Sequence, residues 1–170
     1  MNRLSSILIV DDQMELLNML KDGLSVRGYH CEAAMNATSA LELLNERLFD
    51  LMIIDIDLPD MSGFELTKMA KRLKPNIAVI IITGFIGDFS YDEAVKTGAT
   101  DFIKKPFTVK ELVVRIKQIE TQEELKKKLK DLEDFYEIAV GRELRIIELK
   151  KEIERLKEES GKQKSHDDET

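Results

Sequence analysis

The chain has 170 residues, 43% apolar and 35% charged, with a formal net charge of -7 and a sequence pI near 5.0. That length supports one domain with a core plus an appendage, and the acidic balance argues against a general nucleic-acid or anionic-membrane binder. The lone Cys31 excludes an internal disulfide and suits a reducing compartment. The apolar run Ile7–Val10 is too short for a secretory signal and stops at two acids. No stretch approaches the roughly 18 apolar residues of a membrane span. A cytoplasmic chain is expected, with neither membrane nor direct nucleic-acid partners.

In chain order, short apolar runs alternate with stretches of helical spacing. "SILIV" (6–10) precedes "MELLNMLKDGLSVRG", whose apolar residues 14, 16, 17, 20 and 24 share a face and whose Gly28 suits a helix terminus. "HCEAA" (30–34) precedes "TSALELLNER", where Thr38 or Ser39 is the expected N-cap. "DLMII" (50–54) precedes a helix that starts at Ser62 and must stop before Pro75. "IAVIII" (77–82) precedes "SYDEAVKTG", a short helix closed by Gly98, and "TDFI" (100–103) precedes "TVKELVVRIKQI", capped by Thr108. The first, third and fourth runs are almost continuously aliphatic, as strands buried on both faces of a parallel sheet require. Five strand–helix alternations in about 120 residues predict an α/β fold with right-handed crossovers.

The character changes near Thr121. The segment that follows has no proline and dense mixed charge. Leu125, Leu129, Leu132, Tyr136 and Ala139 step as a coiled-coil seam does. Ile146, Leu149, Ile153 and Leu156 resume the pattern, but Ile146 and Leu149 form an extra step of three around Gly141, which would overwind a coil or shift its register. A helix over 108–159 would extend about 75 Å at 1.5 Å per residue. The expected organisation is a domain over 1–120, a coiled-coil helix over 121–160 and a disordered polar tail over 161–170.

In an open parallel sheet the ligand site lies beyond the carboxyl ends of the strands. Asp11 and Asp12 follow the first run, Asp55 ends the third, Thr83 ends the fourth, and Lys104 and Lys105 follow the fifth. If the first and third strands are neighbours, about 4.8 Å apart, Asp12 and Asp55 reach one point in space. Clustered carboxylates repel unless a cation neutralises them. With neither histidine nor cysteine beside them, hard oxygen ligands favour Mg²⁺ or Mn²⁺ over zinc. A lysine and a hydroxyl at the same edge make sense if an anion visits, and a phosphoryl group fits because its oxygens need charge neutralisation.

The pieces "ILIVDD", "DLMIIDIDLPDMSGFEL", "IIITG" and "DFIKKPF" resemble receiver domains of two-component response regulators over residues 5 to 120. The spacing agrees as well: Pro59 stands four and Gly63 eight residues after Asp55, and Lys105 opens Lys–Pro–Phe. The resemblance implies a doubly wound, flavodoxin-like five-stranded sheet in the order 2-1-3-4-5. It makes Asp55 the acceptor of a phosphoryl group from a histidine kinase or phosphotransfer protein. Asp12 becomes the direct metal ligand, Asp11 the acid that holds the metal through water, and Asp57 a ligand through its backbone carbonyl. It implies that Thr83 moves onto the phosphoryl group, that Lys105 pairs with it, and that Phe102 is the switch aromatic, here without a tyrosine hydroxyl. Such a domain catalyses only its own phosphorylation and dephosphorylation. The output surface implied is the fifth strand with its flanking helices. The tail resembles linker helices of larger signalling proteins and implies a homodimer through the coiled coil, with Gly141 as the place where a register change is absorbed.

Ordinary structural readings stand beside each of these. Asp11 and Asp12 fit a turn and helix cap, Thr83 a strand-ending hydroxyl, Phe102 a core aromatic, and the tail seam a solvated single helix. Lys104, the rival of Lys105, reads as a surface lysine. A metal-dependent aspartate-nucleophile phosphatase is the alternative function, since it needs a second acid two residues after its nucleophile and Asp57 stands there.

Overall fold

The structure, a computed structural model, describes the backbone of residues 4–84 and 96–167, and the side chains within those ranges up to residue 157. Five strands form one sheet: β1 (Ser6–Val10), β2 (His30–Ala34), β3 (Leu51–Asp55), β4 (Ala78–Thr83) and β5 (Asp101–Lys104). All pairings are parallel and the order is β2-β1-β3-β4-β5. The described helices are α1 (Met14–Ser25), α2 (Ala37–Glu46), α3 (Gly63–Leu73) and α4 (Val109–Asp167).

The period-two alternation of strands divides the aliphatic residues between two cores. Ile7, Ile9, Ile53, Ile80, Ile82 and Ile103 face Leu17, Leu20 and Leu24 of α1 and Leu112 and Ile116 of α4. Leu8, Val10, Ile54, Val79 and Ile81 face Ala40 and Leu44 of α2 and Leu66 and Ala70 of α3. β3 and β4 are buried along their whole length, which is why they carry no alternating polar residues. Each aliphatic side chain so buried is worth about 1.5–3 kcal/mol.

Several boundaries differ from those the sequence suggests. The third, fourth and fifth strands begin and end one residue later than their apolar runs. The ladder, not hydropathy, decides: Asp55 pairs with Ile82 and Thr83 with Lys104, so polar residues take the last position of the strands. α2 is capped by Asn36, whose side chain accepts from the Ser39 amide at 2.8 Å, and not by Thr38 or Ser39. α1 ends at Ser25, and Gly28 closes the next turn with φ 84°, donating its amide to the Ser25 carbonyl. The helix expected over 90–98 lies, apart from its last three residues, outside the described residues.

α4 opens with a reciprocal capping box, in which Thr108 Oγ1 accepts from the Glu111 amide and Glu111 returns a carboxylate to the Thr108 amide. The chain divides into two compact units between Glu123 and Glu124. The second unit is helical without a break at Gly141, and the helix continues to Asp167 through much of the polar segment expected to be disordered. No proline interrupts it, and pairs such as Glu124–Lys128 and Arg145–Glu148 support it. Leu125, Leu129, Leu132, Ile146, Leu149, Ile153 and Leu156 are all exposed along it. Among the described residues, no helix is long and apolar enough to cross a membrane.

Candidate functional site

Strand alternation delivers the first three groups of the site. Asp11 continues the Ile9 side of β1, Asp55 the Ile53 side of β3, and Lys105 the Ile103 side of β5, so all three emerge from the same face of the sheet. Lys105 donates from Nζ to Asp55 Oδ2 at 2.7 Å and to Asp11 Oδ2 at 3.3 Å. Asp11 is fully buried and Asp55 is 4% exposed. Asp12 stands exposed at the rim, and one carboxylate oxygen from each of Asp11, Asp12 and Asp55 lies within 4.8 Å of the others.

Local structure fixes these side chains. The Gln13 amide donates to Asp11 Oδ1 at 2.8 Å as α1 begins. The Asp57 amide reaches Asp55 Oδ1 at 3.5 Å. The loop after β3 is drawn shut by a bridge between Asp57 and Ser62 and by the Gly63 amide donating to the Ile56 carbonyl at 2.8 Å. Lys105 is positioned by its own amide, which donates to the Thr83 carbonyl at 2.8 Å, and the following Lys105–Pro106 peptide is cis.

The electrostatics are those of a crowded acid cluster. Burial pushes the Asp11 carboxyl above its ordinary range, opposed by the Gln13 amide and reinforced by the neighbouring Asp55. Partial burial alone would lower the Lys105 ammonium, but the Asp55 hydrogen bond and the charges of Asp11 and Asp55 hold it higher. One ammonium therefore faces three carboxylates, and the site has an affinity for further positive charge. All-oxygen donors with open space on the Asp12 side fit a hard divalent cation.

The other sequence-predicted residues sit differently. Thr83 is buried at the end of β4. By alternation it follows Ile81 and belongs to the opposite face from Asp55. Phe102 is half-buried against the Ile81 cluster on that same opposite face. Asp57 is exposed, and so is Lys104, which leaves Lys105 as the lysine of the cluster. Residues 85–89 of the loop after Thr83 are outside the described residues. Two contributors carry no signal as chemical groups in the sequence: Gly63, whose role is to leave room for the Asp55 backbone, and Asp60, whose partners lie on α2.

Residues 7–117 match the family described as the response regulator receiver domain. The response regulator SaeR of Staphylococcus aureus strain USA300 is 31% identical over 119 residues, covering 70% of this chain and 52% of SaeR. The chain thus spans about half the length of the curated relatives it matches. A CheY-like response regulator receiver domain protein from Methanospirillum hungatei JF-1 superimposes with a TM-score of 0.66 at 35% identity, over 72% of this chain and 98% of that one. NtrX from Brucella abortus does so with a TM-score of 0.69 at 31% identity, over 75% of this chain but only 29% of its own. With its 2-1-3-4-5 sheet and buried acid–lysine cluster, the chain belongs to the response regulator receiver family.

Proposed function

We propose that Asp55 is the phosphoacceptor of a two-component signalling system and takes its phosphoryl group from a histidine kinase or phosphotransfer protein. The observation that carries this reading is the Lys105 ammonium held between Asp55 and Asp11, beside an acid triad that fits a divalent cation. In the transfer, an Asp55 carboxylate oxygen attacks phosphorus and the phosphorus–nitrogen bond to the donor imidazole breaks, leaving an acyl phosphate. Asp12 and Asp55 side chains, with the Asp57 carbonyl, would hold Mg²⁺ or Mn²⁺ directly and Asp11 through water. When bound, the ion offsets the charge on the phosphoryl oxygens. Lys105 then trades its Asp55 partner for a phosphoryl oxygen, and the Thr83 hydroxyl donates to another. Movement of Thr83 opens space that Phe102 fills by burial, repacking the β5 surface.

The exposed seam of the second unit supports a further part of this reading, a homodimer through a coiled coil over residues 121–160. A cytoplasmic site of action follows from the kinase donor.

Incubation with a small acyl-phosphate donor and Mg²⁺, followed by intact mass measurement, tests the proposal. One phosphoryl adduct is expected, absent from Asp55→Asn. Sustained turnover of phosphate monoesters would instead favour an aspartate-nucleophile phosphatase.

A further inference from the structure

The loop between β3 and α3 is tied at both ends to the site, but its middle is tied elsewhere. Asp60 Oδ1 accepts from the Ala37 amide at 2.9 Å, and Oδ2 accepts from both the Thr38 amide and the Thr38 hydroxyl at 2.8 Å. Asn36 serves the Ser39 amide. The first two free amides of α2, which a helix normally leaves to its own cap or to water, are thus served by a carboxylate from the site loop. These donors hold the Asp60 carboxyl down at about 2, the Ala37 amide first and the Thr38 groups next.

We propose that Asp60 is a positioning residue for the divalent cation, strapping the loop that carries Asp57 to the N-terminus of α2. The inference rests on the proposed metal role of the Asp57 carbonyl. Three features support it. The base of the loop is closed by the Asp57–Ser62 bridge. The loop exit is pressed against the Asp55 backbone at Gly63. Between them, Leu58 and Met61 pack against the core, and the exposed Asp60 is held by three hydrogen bonds to a different helix. The Asp60 bonds add the polar restraint at the exposed tip, which the apolar packing of Leu58 and Met61 does not supply. A ligating carbonyl in a tethered loop loses less entropy on metal binding than one in a loose loop. Outer-shell partners bonded directly to a ligand change metal affinity by roughly 10–100-fold, and a tether three residues from the ligating carbonyl is expected at the low end of that range.

The test is a Mg²⁺ titration of the full chain followed by amide chemical shifts, with no phosphodonor present. Asp60→Ala is expected to weaken Mg²⁺ binding by about 10-fold, and Asp60→Asn, which keeps one acceptor oxygen, to fall between it and the wild type. Asn36→Ala is the control. It weakens the same helix end but keeps the Asp60 bonds to Ala37 and Thr38, and should lower the melting temperature while costing clearly less Mg²⁺ affinity than Asp60→Ala. Equal affinities for Asp60→Ala and wild type, or equal losses in Asp60→Ala and Asn36→Ala, would overturn the strap and leave the site reading standing. A wild-type chain without Mg²⁺ affinity would overturn both.

Discussion

Gly63 lies so close to the Asp55 carbonyl oxygen that a β-carbon there would overlap it, and would also stand 2.9 Å from Ile56 Cα. The obstacle is backbone, which cannot rotate aside as a side chain does. Gly63→Ala must therefore push the end of β3 or the start of α3, and costs of about 1–3 kcal/mol are expected, as for other overpacked sites. Urea denaturation measures this directly. Because the displaced backbone belongs to the proposed phosphoacceptor, phosphorylation by a small donor should slow in the same variant.

Lys105 is the ammonium placed between Asp11 and Asp55. Its replacement by Met leaves two buried carboxylates without it. In the metal-free chain a loss of about 1–3 kcal/mol is expected, below the roughly 3–5 kcal/mol for a fully buried pair because Lys105 is partly exposed. Adding Mg²⁺ should recover much of that stability. Denaturation of wild type and Lys105→Met, each with Mg²⁺ and with chelator, checks the sign of both effects.

Metal binding should itself stabilise the fold. Burial raises the Asp11 pKa in the native state, so protonation of Asp11 favours folding. That contribution is full below the unfolded value near 3.8 and is lost as pH rises through the folded value. At neutral pH the charged cluster is a liability that a cation relieves. Mg²⁺ at 100 times its dissociation constant should raise unfolding free energy by about 2.7 kcal/mol. A thermal shift that grows with Mg²⁺ in wild type and shrinks in Asp12→Asn is the expected pattern.

Asp60 predicts the opposite acid dependence. Its folded pKa is lowered to about 2 from 3.8 by the Ala37 and Thr38 donors. The stabilisation is complete above the unfolded value and is lost as pH falls from about 4 through about 2. Asp60→Asn should remove this component, so its denaturation midpoint should fall less steeply over that window than the wild type's. The companion cap Asn36→Ala should cost about 1 kcal/mol at every pH in that window.

The seam of the second unit makes a separate prediction. Leu132 and Ile153 are about half exposed, and in a coiled coil both would be buried. Leu132→Lys combined with Ile153→Lys should raise the dimer dissociation constant by at least tenfold, about 1.4 kcal/mol. Sedimentation of variant and wild type at matched concentrations measures it.

The strand–helix alternation and the acid–lysine cluster are legible because both follow from simple periodicity, whereas the sheet order is implied only by the resemblance to receiver domains. Aliphatic runs marked the buried strands, and the polar residues ending them were bound to share one edge. Strand limits were not legible to the residue, since Asp55, Thr83 and Lys104 enter the ladder through their partners on other strands. The cap of α2 is not legible to the residue, since Asn36, Thr38 and Ser39 are all cap formers; in the fold Asn36 serves the Ser39 amide and the Thr38 groups go to Asp60. Asp60 carries no sequence signal of its own, because its partners lie more than 20 residues away in sequence and meet it only in the folded chain. Gly63 was visible as a spacing, but its cause, the approach of the Asp55 carbonyl, is a property of packing alone.

The central claim is tested most directly by locating the phosphoryl group. After reaction with a small phosphodonor, borohydride reduction converts an aspartyl phosphate to homoserine, which peptide mass spectrometry assigns to one residue. Homoserine at position 55, formed with Mg²⁺ and abolished by chelator, is the predicted result. Labelling at another residue, or labelling of Asp55 that is indifferent to the metal, would contradict the account.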